Sequence, residues 1–296
     1  MTSTAVVLVT GASGQIGSRL CSLLRSAGHE VLAVDIRPDA RARIQLCDIR
    51  KGDHVKRLFE SAPIRTVIHL AAFLPSAFRA DPLAAAEVNL TGTLSLLGEA
   101  VTHRVERFVF GSSLSVYGSS YPPRALSERD PPAPDEPYGA AKRVVELVGE
   151  SLAATTGFGF TSLRIARVVG PGVRSSASSW RSQILDAPMT GDQHPISIPF
   201  APTARLSLTH VDDVARMLIL MAEAAELRRR IYNSRVEVWE TRRLAELVEG
   251  ARNARVQMGE ADGGPIPDGA LFTQDFGFRL RGLADYLSAR GGITGA

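Results

Sequence analysis

The chain has 296 residues, and its 34 lysines and arginines are nearly balanced by 31 acidic residues, for a formal net charge of +3. No basic run exceeds Arg228-Arg229-Arg230, which excludes a polybasic nucleic-acid arm. An apolar content of 45% fits a globular chain with a large core, and two cysteines, Cys21 and Cys47, are too few for a disulfide framework.

The elements alternate from the start. Val6-Val7-Leu8-Val9 is a continuous apolar run, as expected of a strand buried on both faces of a parallel sheet. A glycine turn follows, then a helix predicted over Gln15–Ala27 with Ile16, Leu20, Leu23 and Leu24 on one face. Further strands are predicted over Glu30–Asp35, Ile44–Leu46, Thr66–Leu70, Arg107–Ser113 and Phe160–Val169. Helices are predicted between them over His54–Ser61, Leu83–His103 and Tyr138–Ala154. This alternation implies right-handed crossovers and an α/β fold, a Rossmann-like doubly wound parallel sheet with a smaller C-terminal substrate domain. Six prolines from Pro122 to Pro137 make that segment a loop. Past Gly170 the pattern is irregular, with helices over Val211–Ala225, N-capped by Thr209, and Thr241–Val248, and a flexible loop over Asp262–Gly269. The organisation expected is a cofactor domain over 1–169 and a substrate-binding region over 170–296, with 207–235 packing back onto the first.

Met1–Thr10 lacks a basic n-region, and no apolar run approaches the roughly 20 residues of a membrane helix. A cytoplasmic protein with no membrane or nucleic-acid partner is expected, and no cysteine spacing suggests a metal.

Three stretches carry chemistry. In Thr10–Gly17 (TGASGQIG), Gly11 permits a tight turn, Gly14 lets the backbone approach a pyrophosphate, and Gly17 lets helix pack on strand. The helix start adds free N–H groups and a positive dipole end. Asp35, 18 residues after Gly17, ends the second strand, where a carboxylate accepts ribose hydroxyls and repels a 2′-phosphate. That favours NAD over NADP, although Arg37 could accommodate the phosphate. Asp48 and Ile49 follow the third strand, within reach of an adenine.

Tyr138 and Lys142 stand one helical turn apart. With five tyrosines and three lysines in the chain, chance predicts about 0.05 such pairs. A compact ammonium beside a phenol lowers its pKa, and a phenolate takes the proton of an alcohol as hydride leaves its carbon. Ser112, Ser113 and Ser115 lie at the carboxyl end of the fifth strand, where sheet ligands bind.

These motifs resemble the extended short-chain dehydrogenase/reductase family, also called the NAD-dependent epimerase/dehydratase family. The other matching pieces are CDIR at Cys47–Arg50, HLAA at His69–Ala72, VNLTGT at Val88–Thr93, SSLSVYG at Ser112–Gly118, YGAAK at Tyr138–Lys142, LRIARVVGPG at Leu163–Gly172 and THVDDVA at Thr209–Ala215. The resemblance implies Tyr138 as base, Lys142 as its partner and ribose anchor, and Ser113 as holder of the substrate oxygen. It implies cofactor contacts at Gly11, Gly14, Gln15, Ile16, Asp35, Arg37, Asp48, Ile49, Leu70, Ala71, Ala72 and Asn89, and a homodimer through the Leu83–His103 and Tyr138–Ala154 helices.

Departures narrow the reaction. Relatives that eliminate water carry acidic residues after the catalytic hydroxyl, and here Leu114 and Ser115 stand there. Nucleotide-sugar epimerases usually have Asn at the position of Arg167, and an arginine four residues before the His210 position, where here Arg205 lies five before. Phe73, Ser115, Arg167, Arg174 and Arg205 are the candidate substrate contacts, the arginines for a diphosphate or a carboxylate. The expectation is a sugar or nucleotide-sugar epimerase working through a transient ketone. The alternatives are an NAD-dependent dehydrogenase of a small hydroxy acid, sugar acid or amino acid, or a catalytically silent NAD-binding regulator, against which Ser113, Tyr138 and Lys142 argue.

Overall fold

The computed structural model describes residues 5–173, 178–186, 195–252 and 254–291. Its strands are β1 Val6–Thr10, β2 Glu30–Asp35, β3 Ile44–Leu46, β4 Ile64–His69, β5 Arg107–Ser113, β6 Phe160–Ile165, β7 Arg167–Val169, β8 Ile196–Phe200, β9 Arg205–His210, β10 Ile231–Asn233, β11 Glu237–Glu240 and β12 Val256–Ala261. Its α-helices are α1 Gln15–Ser26, α2 Gly52–Ser61, α3 Pro75–Ala80, α4 Pro82–Ala86, α5 Thr93–Thr102, α6 Pro137–Thr156, α7 Trp180–Asp186, α8 Val211–Glu223, α9 Thr241–Arg252, α10 Ala270–Phe276 and α11 Leu283–Gly291.

Seven strands form one parallel sheet in the order β10-β6-β5-β4-β1-β2-β3. The order reverses at β1, so the β1 and β4 carboxyl ends open a crevice at the switch point, where such sheets take ligands. One face buries Val55 and Leu58 of α2, Leu96 and Leu97 of α5, and Val145 of α6. The other buries Leu20 and Leu24 of α1, Met217 and Leu218 of α8, and Phe272 of α10. Each such side chain contributes about 1.5–3 kcal/mol on burial, so the two-sided apolar strands explain why the sheet forms. A separate core gathers Trp180 and Ile184 of α7 with Ile196, Ile198, Leu206, Leu208 and Leu244. It joins the three-stranded sheet β11-β9-β7 to the parallel pair β12-β8.

The structure corrects four local expectations. The helix expected over Leu83–His103 is three pieces, α4, a π-helical turn over Glu87–Gly92, and α5. The extra residue of a π turn brings Gly92 against Ile49, where a Cβ would lie 2.8 Å from the Ile49 side chain. The strand expected over Phe160–Val169 breaks at Ala166, whose N–H donates to Ser234 Oγ (3.0 Å) outside the ladder; β7 then joins β9 in the second sheet. The N-cap of α8 is His210, whose Nδ1 accepts from Asp212 N at 3.2 Å, while Thr209 Oγ1 donates to Arg235 O (2.6 Å). Finally, the loop over 262–269 is tied to the proline-rich loop by the Leu126 N–H to Ile266 O (2.8 Å) and the Asp268 N–H to Leu126 O (2.7 Å).

Candidate functional site

At the end of β1 the backbone turns through Gly11 at φ +69°, where a Cβ would lie 2.6 Å from Ala71 N. The β1 and β4 turns thus touch, and only glycine fits. Helix α1 starts from Gly14 with no side-chain cap and no acidic residue in its first turn. Its leading N–H groups and dipole remain for an anion. Beside them Ser13 Oγ is a buried hydroxyl without a partner. This uncapped cradle with an orphaned donor fits a pyrophosphate.

Asp35 is buried and accepts one hydrogen bond on each oxygen, from Ser13 N (3.1 Å) and Arg37 N (3.0 Å). Lone pairs remain for two ribose hydroxyls. Arg37 leans back to within 4.0 Å of that carboxylate with its side chain 61% exposed. Gln15 spends its amide on Gly170 O (2.9 Å), and Ile16 packs on the α1 side of the core, so only their backbones face the cradle's chemistry. Asp48 is engaged by Arg50 at 2.7 Å, which holds its carboxyl below the usual range. Ile49 is buried against Gly92.

The β4 end is built from paired side chains. The Leu70 and Ala71 N–H groups both donate to Thr10 Oγ1 (3.3 Å), and Ala72 follows half-buried. Asn89, in the π-helical turn, makes two bonds to the Phe73 backbone: Phe73 N to Oδ1 (2.7 Å) and Nδ2 to Phe73 O (2.9 Å). His69, absent from the sequence-derived set, bridges Thr10 Oγ1 (2.6 Å) and Thr93 Oγ1 (2.9 Å) beneath this floor. Burial, and then the Lys142 charge, push it down to about 3, so it stays neutral.

Tyr138 and Lys142 lie in the first turns of α6, which begins with Pro137. Gly139 is required between them: a Cβ there would sit 2.2 Å from Ser115 O, so α6 rests directly on the 3₁₀ turn Leu114–Tyr117 that follows β5. That contact brings Ser113 to Tyr138. The Ser113 hydroxyl meets Ser115 Oγ at 3.2 Å and accepts from Ser115 N at 3.1 Å. Phe78 meets the Tyr138 ring edge-on at 6.1 Å, and Phe73 packs in the same cluster. Burial pushes the Tyr138 phenol up to about 12, and Ser113 and Arg181 pull the other way. Lys142 is 4% exposed, donates to Gly111 O (2.7 Å), and stands 4.6 Å over the Phe110 ring and 5.8 Å from the Tyr138 ring centre. Burial pushes its ammonium down to about 7, opposed by the Glu146 carboxylate one turn further on.

Ser112 points away from the site and donates to Glu146 Oε1 at 2.6 Å. Glu146 is wholly buried and takes both arms of Arg164 (3.0 and 2.8 Å), whose third nitrogen reaches Tyr117 Oη (2.9 Å). Tyr117 in turn donates to Asn233 Oδ1 (2.9 Å). This satisfied network fastens α6 to β5, β6 and β10 and so fixes where Tyr138 stands.

The arginines divide. Arg167 on β7 is stacked 4.5 Å over the Phe200 ring and gives one hydrogen bond, to Gly263 O (2.9 Å); burial first, then Arg181, pushes it down to about 10. Arg205 is exposed at the start of β9. Arg167 pairs with Leu208 in register, so Arg205 stands three residues, about 10 Å, away along the strand. Arg174 lies outside the described residues. Arg181 on α7 was missed by sequence reasoning. It lies over Trp180 (6.0 Å), its Nε is buried without a partner, and burial lowers its pKa while Tyr138 opposes this. A signal existed: residues 151–185 hold four arginines and no Asp or Glu.

A crevice of this kind, at the switch point of a parallel sheet with a glycine turn and a strand-end carboxylate, defines a dinucleotide-binding α/β protein. Comparison with known proteins narrows the class. A family model described as the NAD dependent epimerase/dehydratase family matches residues 7–234, and the chain belongs to that family. NAD is its cofactor. The chain is 30% identical over 229 residues to a UDP-glucuronate 4-epimerase from Thermodesulfobacterium geofontis, covering 71% of this chain and 69% of that protein. It is 30% identical over 174 residues to a UDP-glucose 4-epimerase from Lacticaseibacillus casei; that match covers 55% of this chain and only 52% of that protein. The fold matches a UDP-glucose 4-epimerase from Thermus thermophilus, solved in complex with NAD, at a TM-score of 0.82 and 25% identity, over 98% of this chain and 100% of that one.

Proposed function

We propose that this chain is an NAD-dependent epimerase of a sugar or nucleotide-sugar, acting at a secondary alcohol through a transient ketone. The observation that carries this reading is the convergence of Ser113, Tyr138 and Lys142 beside the glycine-loop crevice, with α6 seated on the 3₁₀ turn by Gly139. The epimerase relatives support the direction of the reading.

Gly11, Gly14 and the backbone N–H groups of Gln15 and Ile16 would hold the pyrophosphate, and Asp35 the adenosine ribose. Lys142 would donate to the other ribose, and Leu70, Ala71 and Ala72 would flank the nicotinamide. The chemistry NAD supplies when bound is reversible hydride transfer at a positively charged ring. Ser113 would hold the substrate oxygen, and Tyr138 would take its proton as the C–H bond gives up hydride, leaving a ketone. Returning proton and hydride to the opposite face inverts the carbon with no net redox change. The Tyr138 phenol starts from about 12, so positive charge beside it must lower it, and Lys142 and Arg181 are the protein's own cations at that place.

The substrate would lie between the seven-stranded sheet and the small sheets carrying Arg167 and α7, which would make residues 170–296 its main support. No helix among the described residues is long and apolar enough to cross a membrane. The free, buried Cys21 and Cys47 fit a reducing compartment, the cytoplasm. Exposed Leu83 (80%), Val144 (41%) and Leu147 (51%) support a homodimer through α4, α5 and α6; light scattering reading one chain's mass would contradict it.

The test is turnover of matched sugars and UDP-sugars with NAD, followed by isomer analysis and absorbance. Interconversion without net NADH supports the epimerase. Net NADH with a hydroxy acid or sugar acid would replace it with the dehydrogenase reading. Full activity of Tyr138→Phe would refute both.

A further inference from the structure

Two guanidiniums share one aromatic shelf. Arg167 is stacked over Phe200 and Arg181 over Trp180, and these two rings meet edge-on at 6.0 Å. The shelf is rigid: Trp180 is 2% exposed, and α7 is tied to the chain after β7 by Gly170 N to Arg181 O (2.8 Å) and Ser182 Oγ to Gly170 O (2.7 Å). Gly170 O also accepts from Gln15 of the glycine loop (2.9 Å), so the shelf is tied to the cofactor crevice. Among the described residues neither guanidinium has a carboxylate within ion-pair distance. Arg167 spends one nitrogen on a backbone carbonyl, and Arg181 Nε is buried with nothing to donate to. Holding two such cations close together, partly dehydrated and unneutralised, costs stability. That cost is recovered when an anion enters.

The place of that anion follows from Tyr138. Arg181 and Tyr138 feel each other's charge, so a group held by Arg181 sits near the oxygen being deprotonated. In a nucleotide-sugar oxidised across the ring from its anomeric carbon, the diphosphate is separated from that oxygen by the whole sugar. A carboxylate on the neighbouring carbon is not, and its planar oxygens match the guanidinium fork.

We infer that Arg181, backed by Arg167, is a carboxylate-binding position, and that the substrate is an acid whose carboxylate lies next to the oxidised carbinol: a uronic acid, free or as a nucleotide ester. This rests on the proposal that Tyr138 is the base. It adds the substrate class and a residue that selects it.

The experiment uses NAD-saturated full-length protein and two matched pairs of probes, UDP-glucuronate with UDP-glucose and D-glucuronate with D-glucose. In the wild type, one acid exceeds its neutral counterpart in kcat/KM by about 100-fold, the usual scale for a buried charge-assisted pair. Arg181→Met lowers kcat/KM for that acid by about 100-fold, mainly through KM, and for the neutral sugar by less than about 10-fold. Arg181→Lys falls between, because it keeps the charge and loses the fork. Which pair responds distinguishes a nucleotide ester from a free acid. Unchanged NAD binding by Arg181→Met controls for folding. Equal or better use of the neutral sugar by the wild type overturns the inference, as does equal loss on both members of a pair, or neither acid being turned over. Tyr138→Phe separates the two levels. If it is inactive while Arg181→Met is indifferent to the carboxylate, only this inference fails; if it stays active, the catalytic reading fails first.

Discussion

Replacing Lys142 with Met should make the protein more stable in a manner that depends on pH. The ammonium is 4% exposed, and burial brings it from an ordinary 10.5 down to about 7. A fall of that size corresponds to about 5 kcal/mol of cost for holding the charged form in the folded chain, at 1.36 kcal/mol per pH unit. Below pH 7 the lysine is charged folded and unfolded, so the folded state bears the full cost. Above 10.5 it is neutral in both and the cost is gone. Between these limits the unfolded chain binds the extra proton, so wild-type stability gains with rising pH from this group. Lys142→Met lacks the term. Its stability relative to wild type should therefore be highest near pH 6 and fall by about 2–3 kcal/mol between pH 7 and pH 9, as the slope of 1.36 kcal/mol per pH unit gives. The lost bond to Gly111 O adds an offset of about 1–3 kcal/mol against the variant, with no such slope. Urea titrations of both proteins at four pH values read the difference directly, since all other groups cancel. A pH-independent difference, or one growing in the variant's favour as pH rises, would refute the reasoning.

Asp35→Ala should weaken NAD about 10- to 100-fold, the scale of hydrogen bonds to a charged group, and improve NADP relative to NAD, because Arg37 already lies 4.0 Å from that carboxylate; steady-state kinetics with both cofactors checks this. Arg164→Met leaves the wholly buried Glu146 with only Arg143 (3.1 Å) as a charged partner and should cost about 3–5 kcal/mol in urea unfolding. Adding Glu146→Leu should recover part of that loss, since the uncompensated charge is then gone; no recovery would contradict the network's role. Gly139→Ala drives a Cβ to 2.2 Å from Ser115 O and should lower kcat more than it weakens NAD binding, because it moves Tyr138 and leaves the glycine loop in place.

The parts of the site that share one local element were legible in the sequence. Gly11 to Gly17 is one turn and one helix start, and Tyr138 with Lys142 is one turn of one helix, so spacing alone places them. Parts made by chain segments meeting from far apart were not. Asn89 was named, but the π-helical turn that aims it at the Phe73 backbone depends on Gly92 packing against Ile49, 43 positions earlier in the chain. The break at Ala166 depends on Ser234, which no periodicity near residue 160 announces. His210 caps α8 because Thr209 is drawn to Arg235 O. Arg181 lies in a serine-rich stretch with no strong helical pattern, and its importance shows only once α7 folds back beside β7 and Tyr138. The acid-free run of residues 151–185 was the one sequence signal that could have raised it.

The central claim, hydride removal and return at one carbon with Tyr138 moving the proton, is tested most directly by isotope. UDP-glucuronate or D-glucuronate carrying deuterium at the carbinol carbon is incubated in ordinary water with NAD and either wild-type or Tyr138→Phe protein. The account predicts an inverted product that keeps its deuterium at that carbon with wild type, and a loss of turnover of about 100-fold or more in the variant, the scale of acid–base catalysis. Inverted product that has exchanged its deuterium for solvent hydrogen, or undiminished turnover by Tyr138→Phe, would contradict it.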